Sequence, residues 1–549
     1  MRLALVALAA LVARGAAAEP IVLVSDPVQL AELERRGVTL ADQLGQARYA
    51  AMVRVLGRDI ADFARADPQA GVRVAGNPHR LFDVRWLRAP DAHFQLVGLT
   101  NRIDKRPFTP GACGLTRFIY RLAYRKPEIA SRLPMTVAVE YHNPPDCREA
   151  ARSFPAVDPA RLASVQVNLQ SVRWPSAVRP DLAAHAEYLL RAFEPRGATL
   201  VPMRLENSPD VARLRRDRAL RAELLAWIAA NLDAIDTGGY LLPERFLTER
   251  SVSVSPRGFA RRANRPFVQL FPIKELEGLS LAGRRFVGSP AALLRRLDDG
   301  TCAGCHQARA VAGFHFLGAD GPDAAAGNAL AVPFSPHLAA ELPRRRALVA
   351  ALAEGRDADF ARPLSERDPA QPGGYGAHCG RGDPGFADWT CAEGLRCDVY
   401  DAPAGDDAVG VCLPVTPGTG DPCEVGRVIA HVDPHQDRVG RPVERPCAVG
   451  VSCNRNQVGF PGGMCTASCA EPGPGGTCGA IAVLRPFNDC LARREPFSRC
   501  LAENVTPAGL RACDEATPCR DDYLCVRTEH GGACIPPYFL FQMRVDGHP

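Results

Sequence analysis

The sequence predicts an α+β fold class in three parts: an N-terminal mixed helix and antiparallel-sheet domain, a small all-α segment, and a C-terminal region of disulfide-rich, loop-dominated repeats. Three observations predict it. Short β-rich runs separated by Pro, Gly and Asn/Asp turns fill the stretch from Leu81 to Trp174. A short capped helix leads into the chain's single C-x-x-C-H, Cys302-Ala303-Gly304-Cys305-His306. Sixteen of the 20 cysteines lie between Cys379 and Cys534.

Residues 1–18 read as a secretory signal. Arg2 supplies the positive start, Leu3 to Ala13 is an apolar run, and Ala16-Ala17-Ala18 offers a small-residue cleavage site. The run is too short to span a bilayer, and no later stretch approaches about 18 apolar residues. The mature chain is therefore expected to be exported, to the periplasm, the cell surface or the extracellular space. Its net charge of +5 is small for its length, and the basic residues are almost all arginine, with lysine only at Lys105, Lys126 and Lys274. Nucleic-acid binding would need a clustered basic face, and export argues against it.

The α+β domain is assigned to residues 19–285. Val28 to Ala66 is expected to be helical, with Leu44, Ala47, Met52, Leu56, Ile60 and Phe63 on its apolar positions. Strands are expected at Leu81–Leu87, Phe94–Leu99, Leu115–Tyr124, Met135–Tyr141 and Val165–Val172, with Cys113 and Cys147 tying neighbouring strand ends. Helices at Pro180–Phe193 and Asp210–Ile235 would flank a strand at Thr199–Glu206. The second helix carries Arg213, Arg215, Arg216, Arg218 and Arg221, either a solvated face or a docking stripe for an acidic redox partner.

The all-α segment spans residues 286–356. Ser289-Pro290 is an N-cap followed by proline at the first helical position, and Asp298-Asp299-Gly300 ends the helix just before Cys302. Attachment of haem c needs two thiols two residues apart, each able to bond a vinyl group, and an adjacent histidine able to turn onto the iron. The motif meets each need. Cys302 and Cys305 are then the cofactor-binding thiols and His306 the proximal ligand, with one covalent haem c per chain. A Cys302–Cys305 disulfide, or a zinc site made with His306 and His315, are the competing readings.

A short helix delivering C-x-x-C-H, followed by a loop and by further helices from Ser335-Pro336 and at Leu348–Ala353, resembles a small class I c-type cytochrome domain over Phe286 to Glu354. That resemblance implies electron transfer, and a methionine as the sixth iron ligand. The chain departs from it here, because no methionine lies between Met203 and Met464. A histidine takes the place, or the position is open. His337 is favoured by the length of loop needed to reach the opposite haem face, and His315 could instead pack on the ring or bond a propionate. Exported di-haem peroxidases carry two attachment motifs, and this chain has one. An electron carrier is thus favoured over an oxidoreductase with its own substrate, and an open iron site would favour the enzyme.

After a linker at residues 357–378, the region 379–549 repeats one pattern, C-x5-C followed by Gly-x-Cys. It occurs at Cys391/Cys397/Cys412, Cys447/Cys453/Cys465 and Cys519/Cys525/Cys534, each preceded by a leading cysteine, Cys379, Cys423 or Cys513. Cys469, Cys478, Cys490 and Cys500 form an insert before the third. Small loop-rich units of this kind are held by bridges because their cores are too small to hold them. Spacing alone leaves the pairing open. The partners expected are a redox protein and, through these repeats, a cell-envelope or extracellular surface. An adhesion protein with an auxiliary haem is the reading from another class.

Overall fold

The computed structural model describes residues 21–66, 81–126, 129–173, 186–255, 262–307, 315–321, 329–364, 372–398, 401–402, 408–423, 441–442, 445–454, 464–468, 470–471, 473–477, 508–519, 523–528 and 531–535. The signal segment and the four insert cysteines lie outside them.

The frame is an eight-stranded antiparallel sheet: β1 (Leu23–Val24), β2 (Ala92–Arg102), β3 (Leu115–Lys126), β4 (Ile129–His142), β5 (Leu162–Arg173), β6 (Ala186–Arg196) and β7 (Thr199–Pro202) in that order, with β8 (Arg250–Ser255) also on β6. Period-2 alternation sends Phe118, Tyr120 and Leu122 of β3 and Val137, Val139 and Tyr141 of β4 to one face. Two helices, α1 (Pro27–Arg35) and α2 (Leu40–Ala66), cover that face through Leu30, Leu33, Met52 and Leu56. A bulge between Leu96 and Gly98 lets Leu96 and Leu99 both point into this core while Val97 points to the other face.

The second face carries Arg117, Arg121, Glu140, Ser164 and Gln170, all buried. Buried charge of that kind requires a cover, and the chain supplies it from beyond residue 300. A long helix at residues 336–353 forms a small core there with Val97, Ile119 and Ala138, and the earlier helix α3 (Cys147–Ser153) joins it. The Cys113–Cys147 disulfide ties this corner.

A third core is helical. α4 (Val211–Arg216), α5 (Arg218–Ala230), α6 (Leu232–Thr237) and α7 (Pro266–Leu270) surround α8 (Pro290–Asp299) through Leu214, Leu224, Ile228, Phe267, Leu293 and Leu297. Beyond it lie α9 (Cys302–Gln307) and α10 (Pro336–Ala353).

Six expectations are corrected. The helix expected over Val28–Ala66 is broken between Arg35 and Leu40 and kinked at Gly45, and the one expected over Asp210–Ile235 is three, α4, α5 and α6. Leu81–Leu87 is not a strand: Leu81 makes a single bridge to Val172, and Val84–Arg88 is a 3-10 turn capped by Asp83. The helix expected at Pro180–Phe193 is strand β6 from Ala186 onward: Glu187, Arg191 and Glu194 fall at the i, i+4, i+7 spacing of a helix face, but the segment pairs with β5 on one side and β7 and β8 on the other. The strand expected to run to Glu206 stops at Pro202. Leu348–Ala353 is no separate helix but the end of α10, which runs through Pro343 without a break.

The two longer helices of the expected all-α segment do not share a core. α8 packs in the helical core, and α10 packs on the sheet.

Candidate functional site around the C-x-x-C-H helix

Ser289 caps α8 as its residue type predicts, its Oγ accepting from Ala292 N at 3.0 Å. At the other end Asp298 is fully buried; its carboxylate accepts from Phe267 N at 2.8 Å and faces Arg265 Nε at 3.4 Å. Burial dominates these contacts and raises its pKa to about 7. Thr301 then starts α9, its Oγ1 accepting from Gly304 N at 3.0 Å and donating to Asp298 O at 2.7 Å. The two helices cross so closely that a Cβ on Gly304 would stand 1.9 Å from Asp298 O, so the spacer between the cysteines must be small here.

Cys302 and Cys305 sit at i and i+3 of α9, hence on one side of it. They are the two free cysteines among the described residues. Cys302 N donates to Ser208 Oγ at 2.8 Å, which pins the helix against the loop before α4. Burial pushes the Cys302 thiol up to about 12. It raises the Cys305 thiol too, against the opposing pull of Arg362, Arg102, Lys105 and Arg117. Neither thiol has the lowered pKa of a redox-active dithiol. His306 lies in α9 by its backbone; its side chain is outside the described atoms.

The covered sheet face is a fixed charge network. Arg117 Nε meets Glu140 at 2.9 Å, and Glu140 also accepts from Ser164 and, at 2.9 Å, from Gln166. Arg102 Nε and Arg345 Nη2 share Asp104, at 3.1 and 2.9 Å. Burial alone would raise the Asp104 carboxyl, but the two guanidinium groups outweigh it and hold it far below its usual range. Residues 315–321 cross this face: Phe316 lies on the bulge, where a Cβ on Gly98 would be 2.3 Å from its ring, and Arg121 donates to Leu317 O at 2.7 Å.

His315 and His337, expected as candidates for the sixth position, are brought together. Their ring centroids are 5.6 Å apart, edge to face. A third histidine joins them that sequence reasoning missed. His378, assigned to the linker, stacks on His337 with centroids 5.7 Å apart and planes at 28°. All three are buried, at 6 %, 3 % and 8 % exposure. His315 Nδ1 is within 2.8 Å of Ser335 Oγ, and His378 Nδ1 is 3.3 Å from Arg295 Nη2 of α8. Nothing in the spacing signals His378, which becomes a neighbour only when the stapled region folds back.

That region does fold back. Each of the three four-cysteine modules pairs first to third and second to fourth: Cys379–Cys397 with Cys391–Cys412, Cys423–Cys453 with Cys447–Cys465, and Cys513–Cys525 with Cys519–Cys534. The first module seats Phe386 and Trp389 on Val287, Ala291 and Ala292 of the motif-bearing segment. The third adds residues 524–528 to the chain at Leu330, with Ala331 N donating to Cys525 O at 2.9 Å and Arg527 N to Ala329 O at 2.7 Å. The arginine stripe is likewise in use: Arg215 and Arg221 donate to Gln269 O and Leu270 O at 3.2 and 2.8 Å. These guanidinium groups clamp the loop around α7.

The donor types present, thiol, imidazole and basic groups, are those a covalently held haem would use. Two unbonded thiols lie on one side of a helix, buried basic groups near Cys305 suit the two carboxylates a haem carries, and imidazoles stand on other elements of the same segment. Among the described residues, the groups of three ligands close enough for one metal ion are disulfide cysteines. Compared with family models, curated proteins and solved structures, the chain matches none. Among the described residues there are seven disulfides, the mark of an oxidising compartment, and no helix is long and apolar enough to cross a membrane.

Proposed function

We propose that the chain is an exported mono-haem protein of c-type cytochrome character that carries single electrons. The observation that carries this reading is the pair Cys302 and Cys305, left unbonded in a chain whose other described cysteines are all in disulfides. Each thiol would add its S–H across one vinyl double bond, sulfur bonding one carbon and hydrogen the other, with no net oxidation. His306 would be the proximal ligand, and His337 would take the distal position. Bound, the haem supplies a one-electron iron couple. The residues around it contribute position and charge: Arg102, Lys105, Arg117 and Arg362 face the motif with positive charge, and α8 with Ser208 fixes its helix. An electron carrier with both axial positions filled needs no open site for a substrate.

The stapled modules support this reading over an adhesion tail, because two of the three pack on the motif-bearing segment. Periplasm or cell surface is the proposed location. The test is the visible spectrum of protein made with haem-attachment machinery. A haem spectrum present in the wild type and lost in Cys302→Ala supports the reading; a colourless wild type overturns it.

A further inference from the structure

We propose that His378 is a positioning residue: from the first disulfide-stapled module it braces the ring of His337. The inference rests on the haem reading above with His337 as distal ligand.

Three features of the geometry point to it. His337 lies between two rings, His315 meeting it edge-on at 5.6 Å and His378 face-on at 5.7 Å. Each outer ring is itself held through Nδ1, one by Ser335 and the other by Arg295. A guanidinium can only donate, so in this contact His378 Nδ1 is the acceptor. The bond to Arg295 fixes the plane of the ring that stacks on His337.

The second feature is how His378 is delivered. It opens strand His378–Gly380 and directly precedes Cys379, whose bridge to Cys397 closes the module. Phe386 and Trp389 dock that module on the N-terminal half of α8, one turn before Arg295. The module, α8 and α10 therefore meet at the histidine row.

The third is chemical economy. A metal-binding imidazole works best when its ring orientation is set by neighbours rather than left to rotate. Here that work falls to residues about 20 and 40 positions away in sequence.

The test uses the full chain with haem attached, reduced and exposed to carbon monoxide, with uptake followed in the visible spectrum. Wild type should take up carbon monoxide slowly, because His337 must leave first. His378→Ala should speed uptake at least tenfold, while His378→Phe, which keeps a flat ring, should stay within about threefold of wild type. Should His378→Ala fail to fold, Arg295→Met tests the same link, and faster uptake is expected there too. Rates unchanged in His378→Ala, or in Arg295→Met where that variant stands in for it, would overturn the bracing role while leaving the haem reading intact. Immediate uptake by wild type would overturn it as well, by showing an open iron. A wild type without covalent haem sinks the haem reading itself, a separate and visible failure.

Discussion

Ser289 Oγ donates to the Asp383 carboxylate at 2.6 Å while accepting from Ala292 N, so one hydroxyl both caps the helix that leads to the motif and binds the first stapled module. The helix start and the module are thus one structural unit. Ser289→Ala should cost about 1–2 kcal/mol for the cap alone. Asp383→Ala should cost about 1–3 kcal/mol. The double variant should lose less than the sum, with a coupling of about 0.5–3 kcal/mol. Urea unfolding of the oxidised protein measures all three; strict additivity would mean that the two residues act independently.

Truncation gives a coarser test of the same unit. A chain ending at Leu364 would strip Phe386 and Trp389 from Val287, Ala291 and Ala292 and expose an apolar patch on α8. Such a chain should bind a hydrophobic dye and lose near-ultraviolet dichroism. If it instead stays folded and dye-free, the modules are appendages.

Gly304 meets the backbone of α8, not a movable side chain. Gly304→Ala must push α9 away from Asp298, at a cost of about 1–3 kcal/mol. Melting temperature checks this, and Ala303→Gly, on the same short helix, is the control for helix propensity.

Acid and base act on different carboxylates here. Asp104 has a folded pKa far below its usual 3.8, held there by Arg102 and Arg345 against the effect of burial. Its contribution is complete above about pH 4 and lost as pH falls. Asp298 has the opposite sign: its folded pKa of about 7 lies above its usual 3.8, so its contribution is complete below about pH 4 and declines as pH rises towards 7. Asp104→Asn should therefore destabilise by about 3–5 kcal/mol at neutral pH and flatten the acid limb. Asp298→Asn, which keeps an acceptor for Phe267 N, should be better tolerated at pH 8 than at pH 5. Unfolding free energies across this range decide both.

Much of the frame is legible in the sequence. Strands β2 to β5 show clean alternation or apolar runs between turn residues, and Ser289-Pro290 marks the start of α8 as capping chemistry requires. The three cysteine modules are legible as groups, although their pairing is not, since spacing does not order four thiols. Strand β6 reads as a helix because Glu187, Arg191 and Glu194 fall at helical spacing along an otherwise apolar run, and only its pairing with β5 and β8 makes it a strand. α10 reads as two helices because Pro343 and three arginines look like an ending, yet the helix continues through them. At the site, Cys302, Cys305, His306, His315 and His337 can be named from the sequence. His378 cannot: its place beside His337 depends on a chain return of about 40 residues that no local pattern encodes.

The function proposed for this chain rests on a covalent bond to haem at Cys302 and Cys305. The most direct measurement is the intact mass of the denatured protein, produced with haem-attachment machinery. The expected result is a mature chain heavier by one haem that survives denaturation, and a Cys302→Ala/Cys305→Ala double variant with the mass of the polypeptide alone. A wild-type chain with the bare polypeptide mass would contradict it.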